Sequence, residues 1–199
     1  MIKASIIEDL VTAFSEALGS GEPEYILPAS TGGAVLSEPL DGIVCYTLPD
    51  QLVYITLGYS ELYEKESPNP GVSGYGFEMV FRLDRTLHER SILDWVAAFL
   101  QKLAVHVFNT GKVFQAGDAI HFKSPITEDT STSVTGCYFV YDPELPSITN
   151  KNGTVMFLLA VGITTAEWEL YQEKGAEMLE KHLDLHSAKC ITNVARKSE

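Results

Sequence analysis

Apolar residues recur with a period of two along two neighbouring stretches of the chain. Val53, Ile55 and Leu57 share one face of the first; Phe77, Met79, Phe81 and Leu83 share one face of the second, where Glu78, Val80 and Arg82 point the other way. Glu78 and Arg82 are expected to pair as ions on that shared face. Strands are predicted over Gly42–Leu48, Leu52–Leu57 and Tyr75–Leu83, the first two joined by a turn at Pro49-Asp50. Further strands follow over Ala119–Phe122, Val134–Val140 and Thr154–Gly162. In the last of these the odd set (Val155, Phe157, Leu159, Val161) and the even set (Met156, Leu158, Ala160) are both apolar, the signature of a central strand covered on both sides.

Helical periodicity occupies the rest. Ser5 to Leu18 carries a capping-box pattern (Ser5, Glu8) and one apolar stripe through Ile7, Leu10, Phe14 and Leu18, ended by Gly19. A Gly/Pro-containing connector is expected from Ser20 to Pro39. Ser91 and Asp94 open a long helix that Gly111 closes, with apolar residues nearly all round it, so it is expected to pack between a sheet and other elements. Thr164 and Glu167 cap a short helix, Gly175 breaks it, and another runs from Ala176 to about Leu185. The pattern predicts an α+β fold, a mostly antiparallel sheet packed with helices, as one domain over residues 1–199.

Between the two alternating strands lies a loop that a core does not require. Tyr59, Tyr63 and Tyr75 bracket Glu61, Glu64 and Glu66 there. Tyrosine supplies rigid contact area with a polar tip, and carboxylates accept bonds from a partner's Lys or Arg, so these six residues are the candidate partner-binding set.

Charge sharpens that reading. The chain has 199 residues, with 14 basic against 27 acidic side chains and a formal net charge of −13. This balance excludes a nucleic-acid footprint, which is basic, and suits a basic protein partner. Cys45, Cys137 and Cys190 are three and far apart, MIKASIIEDL holds no apolar signal core, and no stretch reaches the ~20 apolar residues of a membrane span. A cytoplasmic protein with reduced thiols is expected. Asn152-Gly153 reads as a hairpin turn.

Catalytic patterns fail in turn. There is no nucleophile elbow, Walker loop or dinucleotide fingerprint. Ser73-Gly74-Tyr75-Gly76 precedes a strand, not a helix whose N-terminus could hold phosphate. His182, Asp184 and His186 carry two histidines at helical zinc spacing but no third ligand nearby, and His106 reads as a core histidine. No cofactor, metal site or catalytic residue is assigned. A hydrolase working through loop carboxylates such as Glu61 and Glu78 is the enzymatic alternative.

Several segments carry a family resemblance: Gly58, Ser60–Tyr63, SGYGFEMVFRL (Ser73–Leu83), LAVHVFNTGKVFQAGD (Leu103–Asp118), DPELPSI (Asp142–Ile148) and NGTVMFLLAVGIT (Asn152–Thr165). In this order and spacing they resemble the suppressor-of-fused family over roughly Leu40 to Lys174. In animals that family is a non-enzymatic regulator. It clamps an extended peptide of a zinc-finger transcription factor between two lobes, partly by strand addition. The likeness is to the N-terminal lobe, with ITNVARKS similar to the segment closing it. Tyr63 matches a family tyrosine associated with binding; Pro68, Asn69 and Pro70 stand where the animal proteins carry an acidic residue. Short bacterial forms are assigned to toxin–immunity systems. The resemblance therefore implies a non-catalytic protein-binding domain, an immunity protein neutralising a basic toxin, with peptide capture by strand addition as the alternative.

Overall fold

The computed structural model describes residues 6–27, 39–85, 93–127, 131–185 and 190–197, without the side chains of Leu93 and Asp94. Its strands are β1 (Glu24–Ile26), β2 (Gly42–Thr47), β3 (Gln51–Leu57), β4 (Val72–Asp84), β5 (Ala119–His121), β6 (Val134–Tyr141), β7 (Ile148–Asn150) and β8 (Gly153–Thr164); the helices are α1 (Ile7–Leu18), α2 (Leu93–Thr110), α3 (Thr165–Lys174) and α4 (Ala176–His182). One sheet runs β1-β2-β3-β4-β8-β6-β5, with β7 paired to β8. Every strand pair is antiparallel except β4 with β8, which are parallel at the centre.

The two apolar sets read from the alternation line opposite faces of this sheet. Phe77, Met79, Phe81 and Leu83 join Leu158 and Ala160 under α2, whose Val96, Phe99, Leu100, Leu103, Ala104 and Val107 complete that core. Val53, Ile55 and Leu57 join Val80, Val155, Phe157 and Leu159 under α1. There Phe14 meets Phe157 edge to face at 5.1 Å. β8 thus feeds both cores, as its double apolar pattern requires. A smaller cluster at Tyr138, Ile163 and Leu179 seats α3 and α4.

Several expectations change. α1 begins two residues into the predicted pattern, with Ile6 at the N-cap and no side-chain cap; Ser5 lies outside the described residues. The connector contains β1, whose short exposed pattern gave no alternation to read. β4 starts at Val72, so Ser73–Gly76 belongs to the strand, across an irregularity in register between Val72 and Phe77. α4 stops at His182, and Ser91 and His186 lie outside the described residues. His106 is exposed on α2 and stacks on Phe114 at 5.7 Å. The Thr164–Glu167 capping box forms as expected, and the hairpin turn carries Lys151 and Asn152 between Asn150 and Gly153.

The expected Glu78–Arg82 ion pair does not form. Arg82 is fully buried and gives two parallel bonds to Asp142, Nε to Oδ2 at 2.7 Å and Nη2 to Oδ1 at 2.8 Å, plus Nη1 to Glu144 at 2.6 Å and to Gln51 at 3.1 Å. A planar guanidinium meets a carboxylate edge to edge in this way, and the pairing offsets the cost of burying both charges. The C-terminal segment closes over the same end: Thr192 N–H donates to the Arg82 carbonyl at 2.7 Å, and its Oγ1 accepts from Gly162 N–H at 2.9 Å. Among the described residues no helix is long and apolar enough to cross a membrane.

Candidate functional site

The β3–β4 loop crosses one end of the sheet, and two carboxylates hold its shape. The first is Glu78, fully buried on β4. It accepts bonds from Thr56 Oγ1 at 2.7 Å, Gly58 N–H at 3.0 Å, Ser60 N–H at 2.9 Å and Ser60 Oγ at 2.6 Å, with Tyr59 N–H at 3.4 Å. A loop backbone leaving a strand has amides to satisfy, and one inward carboxylate satisfies them together. Burial pushes this carboxyl above its ordinary range, and the bonds from Ser60, Thr56 and Gly58 oppose that shift.

The second is Glu61. Its carboxylate accepts from Glu66 N–H at 2.6 Å, Gly74 N–H at 3.0 Å, Lys65 Nζ at 2.9 Å, Ser67 Oγ at 3.1 Å and Ser67 N–H. Burial raises its pKa, but the bonds from Ser67, Lys65, Glu66 and Gly74 outweigh it and bring the group down to about 2. Gly74, at φ +54°, lets β4 approach this knot: a Cβ there would lie 2.5 Å from the Tyr59 carbonyl. From the far side, Asn152 of the β7–β8 turn donates to the Glu61 carbonyl at 2.6 Å.

The outer side of this frame is an open depression of about 560 Å³ lined by Asp41, Ser60, Glu61, Leu62, Tyr63, Glu64 and Glu66. Tyr63 is 42% exposed at its rim, and Glu64 and Glu66 reach solvent. The six candidates therefore part company. Tyr63, Glu64 and Glu66 lie together on the surface. Glu61 lines the same depression but spends its oxygens on the loop. Tyr75 is half-buried.

Tyr59 corrects the sequence reading: it is 1% exposed, packed against Phe77, Tyr75 and Phe108 with ring centroids 4.7, 6.4 and 5.8 Å away. It supports the loop from beneath and offers no ring face to solvent. Alternation could not place it, because it falls just after β3, where the strand period ends. Two contributors escaped the sequence reading. Asn152 looked like turn chemistry alone, and Asp41 sits before β2 without a pattern. Both Glu61 and Glu78 are saturated as acceptors, which removes them as poised bases. Among the described residues no group of three or more His, Cys, Asp and Glu could hold a metal ion.

Comparison with known proteins places this architecture. The family described as suppressor of fused protein matches residues 37–197. The chain belongs to the suppressor of fused family. It is 31% identical over 149 residues to the suppressor of fused homologs of Homo sapiens and Mus musculus, a match covering 68% of this chain and 31% of each of those proteins. The chain thus spans under a third of the curated relatives it matches. Among solved structures, a chain of the Sufu–Fu complex superposes with TM-score 0.82 at 22% identity, covering 99% of this chain and 93% of that one. Drosophila Suppressor of Fused gives 0.78 at 22% identity, with 96% and 50% covered. A suppressor of fused homolog from Neisseria gonorrhoeae gives 0.65 at 16%, with 96% and 94% covered. These neighbours share the suppressor of fused fold, and one of them was solved in complex with a protein, Fu.

Proposed function

We propose that this chain is a non-catalytic protein-binding domain and that the depression around Tyr63, Glu64 and Glu66 is its partner-binding face. The observation that carries this is an exposed aromatic-acidic cluster on a braced loop. Glu61 and Glu78 hold the loop from within, and Tyr63, Glu64 and Glu66 are exposed on its outer side. A preorganised loop gives up little entropy on binding, and outward carboxylates favour a basic partner.

The finer reading is immunity: stoichiometric occlusion of a basic toxin in the cytoplasm. It is supported by the −13 charge. Strand addition is the second reading, favoured by β1, an edge strand whose Tyr25 is 55% exposed.

Co-purification from the native host, followed by titration of the isolated partner, tests the proposal. A basic protein bound at one-to-one stoichiometry, weakened about tenfold or more by Tyr63→Ala, is expected. A partner indifferent to Tyr63→Ala would place the binding face elsewhere.

A further inference from the structure

The outer side of α2 departs from the charge of the rest of the chain. From Trp95 to Gly117 the sequence holds no Asp or Glu, and its ionisable side chains are Lys102, His106 and Lys112. Val105 is 36% and Phe108 37% exposed on that side, while Val96, Leu100, Leu103, Ala104 and Val107 fill the core beneath the helix. The sheet thus covers one side of α2 and leaves apolar side chains on the other. Phe108 is held in place there, its ring 5.0 Å from Tyr75 and 5.8 Å from Tyr59. A ring already fixed loses little entropy when a second surface covers it.

The exposed stripe is symmetric about Val105. Lys102 and Phe108 stand three residues to either side of it, and Ala98 one further turn back; all four are exposed. Such spacings put them along one face of the helix. When two copies of this helix pack antiparallel about a two-fold axis at Val105, each position meets its mirror position. Val105 then faces the second copy's Val105, and Phe108 faces its Lys102. An ammonium over a phenyl face is a favourable contact.

Charge selects a second copy as the occupant. Two chains of −13 repel each other wherever acids face acids. A seam on α2 brings none of that helix's residues from Trp95 onward into such a clash. It also sets Lys102 of each copy in the negative field of the other.

We infer that this protein pairs with a second copy of itself through the outer face of α2, the two helices antiparallel and Val105 on the two-fold axis. The seam shares no residue with Tyr63, Glu64 and Glu66, so loss of either surface leaves the other in place.

Sedimentation velocity of the full chain over a wide concentration range is the test. A reversible monomer–dimer equilibrium with a Kd on the order of 10–100 µM is expected for a seam one helix wide. Because Val105 faces its own copy, Val105→Glu and Val105→Lys each set two like charges together. Each should weaken the dimer about tenfold or more. Mixed in equal amounts, the two variants should dimerise again, since opposite charges then face each other. Lys102→Glu takes the cation from the second copy's Phe108 and should weaken the dimer about threefold. Met178→Glu, at an exposed position on α4, should change nothing. Thermal unfolding of each variant separates lost pairing from lost fold. A wild-type chain still monomeric at about 1 mM would overturn the inference. So would a dimer indifferent to both Val105 variants, or two folded variants that stay monomeric when mixed.

Discussion

Ser60 donates its hydroxyl to the fully buried carboxylate of Glu78 at 2.6 Å, and its amide follows at 2.9 Å. Through this contact a strand in the middle of the sheet dictates the path of the loop at its end. Replacing the acceptor with a group that also donates turns several favourable contacts into conflicts. Glu78→Gln is therefore expected to destabilise the fold by about 2–4 kcal/mol in urea unfolding and to weaken partner binding in the same preparation. A stability near that of the wild type would show that the loop holds its path by other means.

Glu61 gives the loop a dependence on pH. Its folded pKa of about 2 lies below the ordinary 4.5, so it stabilises the folded state above pH 4.5. That contribution is lost as pH falls from about 4.5 toward 2. Wild type and Glu61→Gln should therefore differ most in unfolding free energy near neutrality and converge in acid. Curves that stay parallel through that window would show that Glu61 does not hold the loop.

Arg82 and Asp142 couple β4 to the segment after β6. Arg82→Met strands the buried Asp142 carboxylate and should cost about 3–5 kcal/mol, whereas Asp142→Leu leaves Arg82 its bond to Glu144 and should cost less. The double variant should cost clearly less than the sum, and a double-mutant cycle measures the difference. Additive losses would mean the pair contributes nothing as a pair.

Gly74→Ala probes the approach of β4 to the loop. The residue sits at φ +54° with a Cβ position 2.5 Å from the Tyr59 carbonyl, so the substitution must push strand and loop apart. About 1–3 kcal/mol of stability should be lost, with binding weakened in parallel. Gly19→Ala on α1 also has positive φ but meets nothing within 4 Å, and should leave binding unchanged.

Much of the fold was legible because the sheet is covered on both faces. Alternation grouped Phe77, Met79 and Phe81 on one face of their strand and Val53 and Ile55 on one face of theirs, which the structure places in opposite cores, and the double apolar pattern of β8 marked it as central. Alternation also placed Glu78 and Arg82 on one face, but period alone does not identify partners. Glu78 turned to loop amides nearby, and Arg82 to Asp142, sixty residues away in sequence. Of the candidate site, Tyr63, Glu64 and Glu66 were legible as loop acids and an aromatic without a core to fill. Tyr59 was not, because its burial depends on Phe108 from α2, a contact no local pattern encodes.

The central claim is that the outward acids of the β3–β4 loop form the face a basic partner binds. Calorimetric titration of the co-purified partner against the Glu64→Lys, Glu66→Lys double variant tests it most directly. Both side chains are exposed, so the fold should stand. Affinity should fall by about tenfold or more, and the wild-type complex should weaken as salt is raised. An affinity unchanged by reversing both charges would contradict the account.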